Sequence, residues 1–202
     1  MAKNSMNNVK VSIIIVSYNT KELLQACLHY IDCSMTQFDR WEIIVIDNAS
    51  SDGSVEFLRK KKNIQFIGNT SNIGFARANN IGIKGARGEY ILLLNSDTEL
   101  RPGTLQRLLS YMDSYPRVGV VTCRVELPGG EIDPACHRGF PTPWAACTYF
   151  LGFERIFSTS RIFSQYHLGF EDLTSIHEID SPSGAFFLSR RNIVEDVHGL
   201  DE

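Results

Sequence analysis

The 202-residue chain has no long apolar run, no paired-cysteine motif and no excess of basic residues. Its N-terminal apolar stretch, VSIIIVSYN, is far shorter than the ~20 residues of a membrane-spanning helix and carries no cleavage-site pattern. It reads as a buried strand. The five cysteines, Cys27, Cys33, Cys123, Cys136 and Cys147, are odd in number and form neither a CxxC pair nor a zinc-ligand rhythm. A disulfide framework is thereby disfavoured and a reduced, cytoplasmic setting expected. Lys plus Arg total 20 against 23 Asp plus Glu, a net charge of -3, so a global basic footprint for nucleic acid is lacking. Any polyanionic ligand must be met locally. The five histidines, His29, His137, His167, His177 and His198, are scattered and read as surface or core residues; His198 alone lies near a candidate site.

What is present is the make-up of a soluble globular protein, 43% hydrophobic and 21% charged, at a length suited to one large domain. Residues 9–202 are expected to form it, behind a disordered tail at 1–8. Up to about Cys123, short aliphatic runs alternate with amphipathic stretches, the pattern of strand and helix units that build a mostly parallel sheet. VSIIIVSYN, WEIIVID, IQFIG, YILLLN and VGVVTC read as strands. TKELLQACLHYI places Leu23, Leu24, Cys27, Leu28 and Ile31 on one helical face, and Asn19 with Glu22 suggests a capping box. SVEFLRKKK and GFARANNIGIKGA read as further helices. RPGTLQRLLSYMDSYP is expected to start near Pro102 and to turn Leu105, Leu108, Leu109 and Met112 inward. VELPGGEID suggests a hairpin, the aromatic run 140–170 is expected to pack as core, and EIDSPSGAFFLSRRNIVEDV closes with a strand and a helix.

Polar residues gather where the predicted strands end: Ser17, Tyr18 and Asn19; Asp47, Asn48, Ser50 and Asp52; Asn72 and Gly74; Asn95, Ser96 and Asp97. Ligands of open α/β sheets bind beyond the carboxyl ends of the strands. Turn and cap chemistry explains many such residues singly. It does not require an aromatic at Tyr18 or a carboxylate at the last position of a buried strand, Asp47; that pair suits a nucleobase and its ribose. A phosphoryl-transfer enzyme built on one strand-end aspartate would need acids and a lysine grouped around it, whereas these carboxylates are spread over several strand ends.

The blocks SIIIVSYN, IIVIDNASSDGS, NIGFARANNIGI, LLLNSDTEL and SGAFFLSRR occur in an order and spacing that resembles the inverting family 2 glycosyltransferases, most of all their rhamnosyltransferase-like branch. The resemblance implies the GT-A fold, a Rossmann-like α/β architecture with a mostly parallel central sheet and helices on both faces. It implies a nucleotide-diphosphate sugar donor, a saccharide or lipid-linked acceptor, a role in cell-surface polysaccharide synthesis, and a place at the inner face of the membrane with peripheral contact. It places Ser17, Tyr18, Asn19, Asp47, Asn48, Arg77, Asn80, Asn95 and Ser96 around the nucleotide. Asp97 would bind a divalent cation, Mg2+ or Mn2+, and Gly184 and Ala185 would lie on the acceptor or donor-sugar side. Asn95 departs from the leading aspartate of the family's DxD motif, which removes one negative charge from the metal site. The family's catalytic base is expected beyond Glu202, so this stretch alone is expected to bind nucleotide and transfer poorly. A non-catalytic nucleotide-sugar binding module is the alternative.

Overall fold

The structure is a computed structural model that describes residues 9–35 and 40–202. The expected tail at 1–8 lies outside the described residues. In chain order the elements are β1 (Val11–Ser17), α1 (Lys21–Ser34), β2 (Trp41–Asp47), α2 (Ser54–Arg59), β3 (Ile64–Gly68), α3 (Phe75–Gly85), β4 (Tyr90–Asn95), α4 (Thr104–Ser114), β5 (Val120–Val121), α5 (Pro143–Phe150), α6 (Phe153–Ile156), β6 (Phe186–Arg190) and α7 (Arg191–Asp196). They divide into two compact units, one formed by the chain up to Val121 with Phe187–Glu202, the other by Thr122–Phe186.

The first unit is an α/β layer structure built on a mixed, mostly parallel sheet of order β3-β2-β1-β4-β6-β5. β1 pairs in parallel with β2 and β4, β2 in parallel with β3, and β5 antiparallel with β6. The strands are continuous aliphatic runs because both faces are covered. On one face Ile14, Ile44, Ile46, Ile91 and Leu93 pack with Ala78 of α3 and Val194 of α7. The alternate residues Ile13, Ile15, Ile43, Val45 and Leu92 are equally buried, and pleat alternation sends them to the other face. Gly82 lets α3 approach closely: a Cβ there would stand 2.5 Å from Ile14 Cγ2 and 2.8 Å from Ile46 Cδ1.

The amino edge of the sheet is tied by charge. Ser12 Oγ and the Arg87 guanidinium both donate to Glu42. Burial would raise the Glu42 pKa, but the bonds from Ser12 and from the Arg87 backbone and side chain outweigh it and hold the carboxyl below its usual range.

Several local expectations are corrected. Leu23 is half exposed while Leu24, Cys27, Leu28 and Ile31 are buried, because a helix seated on a sheet buries only a stripe of its surface. The Asn19–Glu22 capping box is not formed: α1 starts after Thr20, and Asp52 of a different loop accepts from the Lys21 backbone N–H at 2.7 Å. α4 begins at Thr104 behind a left-handed Gly103, leaving Pro102 outside it, and Leu108 is only partly buried.

The second unit holds the expected hairpin, with Glu126 bridged to Ile132 and Leu127 N–H donating to Glu131 O. Its aromatic run is not core. α5 buries Ala145 and Thr148 and turns outward Trp144, Tyr149 and Phe150, the last 82% exposed. The small side chains take the inner face and the large apolar ones the outer, the reverse of a core-seeking helix.

Candidate functional site

The register brings the strand-end residues together. Ser17 pairs with Asp47 and Asp47 with Gly68, while Asn95 lies beside Val16, one position back from Ser17. The sheet order runs outward from β1 to β2 and β3, then returns to β4 on β1's other side. The carboxyl ends of β1 and β4 therefore flank the topological switch point, where open α/β sheets bind ligands.

Asp47 is fully buried. Its Oδ1 accepts from Ser50 N–H at 2.8 Å, and its Oδ2 has no hydrogen-bond partner among the described residues. A buried carboxylate oxygen without a donor is costly. Asn48 is occupied structurally: its Nδ2 donates to Gly74 O at 3.3 Å and its Oδ1 accepts from Asn69 at 2.9 Å, tying β2's end to the start of α3. Asn19 has a left-handed backbone (φ 54) and receives Ser51 N–H on Oδ1 at 2.8 Å. Tyr18, between Ser17 and Asn19, leaves its ring about half exposed.

Thr20, which sequence reasoning missed, links the two sides of the switch point. Its Oγ1 lies 3.1 Å from Ser17 Oγ and 3.0 Å from Ser96 Oγ. The available signal was a hydroxyl residue immediately before the first helical position. Asp52 holds two helix starts: Oδ2 receives Lys21 N–H and Oδ1 receives the N–H and hydroxyl of Ser54.

On the β4 side Asn95 O closes a turn by accepting from Thr98 N–H at 3.2 Å. Ser96 is buried, Asn95 partly so, and Asp97 is exposed. Beneath them the Cys27 thiol contacts Asn95 O at 3.6 Å. Burial, with the charge of Asp97 second, pushes its pKa up to about 12, so it stays an inert thiol. Glu99 lies before α4 and takes the hydroxyl of Tyr30.

Among the described residues no group of three or more His, Cys, Asp or Glu side chains is arranged to hold a metal ion. A single exposed carboxylate nevertheless fits a hard cation that takes its other ligands from phosphate and water, the usual manner of Mg2+.

Arg77 and Asn80 project from α3 differently. Arg77 is exposed and lies 3.8 Å from Glu202 Oε2, beside a shallow cavity of about 320 Å³ lined by Ile73–Arg77 and Glu202. Asn80 is buried and clamps the end of the chain: Nδ2 donates to Leu200 O and Glu202 Oε1, and Oδ1 accepts from Leu200 N–H at 2.8 Å. That occupies the amide the resemblance had placed near the donor. His198 is exposed with a left-handed backbone. Gly184 and Ala185 belong to the second unit, where Ala185 N–H donates to Ser183 Oγ. A larger concavity of about 600 Å³ also lies in that unit, lined by Pro134, Tyr149, Phe150, Gly152, Glu154, Arg155 and His167. The acids, amides and hydroxyls aligned by strand register are at the carboxyl ends of β1, β2 and β4.

Residues 12–195 match the family described as Glycosyl transferase family 2. An uncharacterized glycosyltransferase of Haemophilus influenzae is 32% identical over 111 residues, 53% of this chain and 44% of its own length. The poly(ribitol-phosphate) beta-glucosyltransferase of Bacillus spizizenii is 34% identical over 51% of this chain and 17% of its own. Among solved structures, a mannosyltransferase of Pyrobaculum calidifontis in complex with GDP-Man and Mn2+ superposes with a TM-score of 0.62 at 21% identity, covering 94% of this chain and 47% of that one. Staphylococcus aureus TarS 1-349 in complex with UDP gives 0.61 at 18% identity, covering 94% and 49%. The fold is thus GT-A, and the chain spans less than half the length of these proteins.

Proposed function

The chain belongs to glycosyl transferase family 2, and on that premise we propose that the carboxyl end of its sheet binds a nucleotide-diphosphate sugar for transfer to a saccharide or lipid-linked acceptor. Inversion at the anomeric carbon, a rhamnose donor and a role in cell-surface polysaccharide assembly are part of the proposal. The observation that carries it is Asp47, wholly buried at the last position of β2 with one carboxylate oxygen lacking a donor. A base N–H or ribose hydroxyl supplies that donor, and the exposed Tyr18 ring covers the base.

Across β1, Asn95 and Ser96 face the ribose side and Asp97 holds the cation. A bound Mg2+ or Mn2+ supplies Lewis-acid stabilisation to the departing diphosphate. Arg77, exposed on α3, is available to the phosphates. The base that deprotonates the acceptor is not assigned to a residue of this chain.

The aromatic surface of the second unit suits an acceptor met at a membrane. Phe140, Trp144, Phe150, Ile156 and Ile162 are exposed, as are Arg155 and Arg161, while the one acidic residue between positions 140 and 170, Glu154, is buried. Exposed aromatic side chains flanked by arginine suit an anionic lipid surface, with Asp180, whose Oδ2 accepts from Phe140 N–H at 3.0 Å, the exposed carboxylate at their margin. Among the described residues no helix is long and apolar enough to cross a membrane.

The test is calorimetric titration with UDP, dTDP and GDP, each with and without Mn2+. One nucleotide is expected to bind, more tightly with Mn2+, and Asp97→Ala should lose the metal increment while keeping the metal-free affinity. Metal-independent binding equal in wild type and variant would refute the role of Asp97, and failure of all three nucleotides would refute the site.

A further inference from the structure

The sequence offers His137 and His177 as scattered residues, yet the second unit sets their rings face to edge, with centroids 4.6 Å apart at 79°. His137 Nδ1 lies 2.8 Å from the carbonyl oxygen of His167, and His177 Nδ1 lies 3.0 Å from that of Ser175. A carbonyl only accepts, so both Nδ1 atoms must carry their proton. A neutral imidazole protonated at Nδ1 has a bare lone pair at Nε2. The two Nε2 atoms are 2.5 Å apart. Two lone pairs at that separation repel, whereas one added proton turns the contact into a short charge-assisted hydrogen bond.

We propose that His137 and His177 hold a single proton between their Nε2 atoms, and that this shared proton latches the 171–180 segment onto the rest of its unit within a bounded pH range. The segment has little else at its middle to hold it: Leu173 and Ile176 are exposed, Ile176 to 78%. At its far end Asp180 and Ser181 donate backbone N–H groups to Arg138 O. The latch therefore governs the run that precedes Gly184 and Ala185.

The charged groups around the pair set its two limits. Glu171 favours positive charge at His137, and Asp172, itself held below the usual range chiefly by the Thr174 hydroxyl and N–H, faces His177. Arg138 follows His137 in sequence, and the His167–Glu154 pair, 2.9 Å apart, stands behind the carbonyl that His137 meets. Burial lowers the His137 pKa and the facing His177 adds to the effect, which moves the alkaline limit of the window toward acid. Above the window no proton lies between the Nε2 atoms and the lone pairs oppose each other; below it both Nε2 atoms are donors. Either way the latch opens.

The experiment is hydrogen exchange of the whole chain, followed in peptides covering 171–180 from about pH 5 to about pH 9, the span in which imidazole charge changes, with intrinsic exchange rates divided out. Protection should peak within the range and fall roughly tenfold or more on the alkaline side, the scale of a charged hydrogen bond. His177→Gln puts a neutral amide donor opposite His137 Nε2 and should keep the protection while abolishing its alkaline loss; His177→Phe should lose it at every pH. Should His177→Phe unfold the unit, the Gln profile decides alone. A wild-type profile that is flat, or that Gln leaves unchanged, overturns the proposal. Protection stripped by a chelator and restored by Zn2+ would also overturn it, by placing a metal between the rings instead.

Discussion

Thr20 Oγ1 stands between Ser17 Oγ and Ser96 Oγ, at 3.1 and 3.0 Å, so one hydroxyl joins the ends of β1 and β4 across the switch point. Thr20→Val keeps the shape and removes the bridge. Loss of about 1 kcal/mol of hydrogen bonding should weaken binding of the preferred nucleotide several-fold in calorimetry. Unchanged affinity would mean that Ser96 and Asp97 are positioned without it.

Asp47→Asn separates turn chemistry from ligand recognition. The amide oxygen can still accept from Ser50 N–H, so the melting temperature should move little. At the position of Oδ2, however, an acceptor becomes a donor, and nucleotide affinity should fall about tenfold or more, the effect of unpairing a charged hydrogen bond. A variant that binds as wild type would reduce Asp47 to a turn residue.

Gly82→Ala tests the seating of α3. Its new methyl would meet Ile14 and Ile46 of β1 and β2 at 2.5 and 2.8 Å, and overpacking of this kind costs about 1–3 kcal/mol. Urea denaturation should show that loss at unchanged m-value, and a variant as stable as wild type would show that the helix can shift freely.

The acid limb of stability should carry a signature of Glu42. Its folded pKa is depressed, so its contribution is complete above the ordinary glutamate range and is lost as pH falls through the lowered value. Glu42→Gln should be less stable than wild type at neutral pH and show a shallower decline on acidification. Parallel curves for the two proteins would exclude the residue as a source of pH dependence.

The exposed ring surface of the second unit should bind membranes by charge and aromatic insertion together. Sedimentation with vesicles rich in phosphatidylglycerol should pull down wild type, and raised salt should reduce it. A Trp144→Ser, Phe150→Ser double variant should stay in solution. Equal recovery of wild type with vesicles of phosphatidylcholine alone would argue against recognition of anionic lipid.

Much of the layer order was legible because it depends on local periodicity. The aliphatic runs of β1, β2 and β4 have no amphipathic alternation, which already marks strands covered on both faces. The family blocks named most of the strand-end residues. The bridge made by Thr20 was not legible, because its partners are one strand end three residues away and another seventy-six residues away. The dual capping by Asp52 escaped for the same reason, since the Lys21 N–H comes from a separate loop. The aromatic run 140–170 misled, because apolar composition does not tell which face of α5 the small residues Ala145 and Thr148 occupy.

The sequence alone determined that this chain is a layered α/β protein with acids, amides and hydroxyls at its strand ends, because hydrophobic period and turn chemistry are properties of neighbouring residues. Only the tertiary structure decided what each of those polar groups does. Strand register set Asp47 beside Ser17 with one oxygen unpartnered, the closure of α3 over the chain end occupied Asn80, and the folding of the second unit turned two distant histidines toward each other. Hydrogen-bond partners drawn from remote segments are assigned by packing, and no local pattern encodes them.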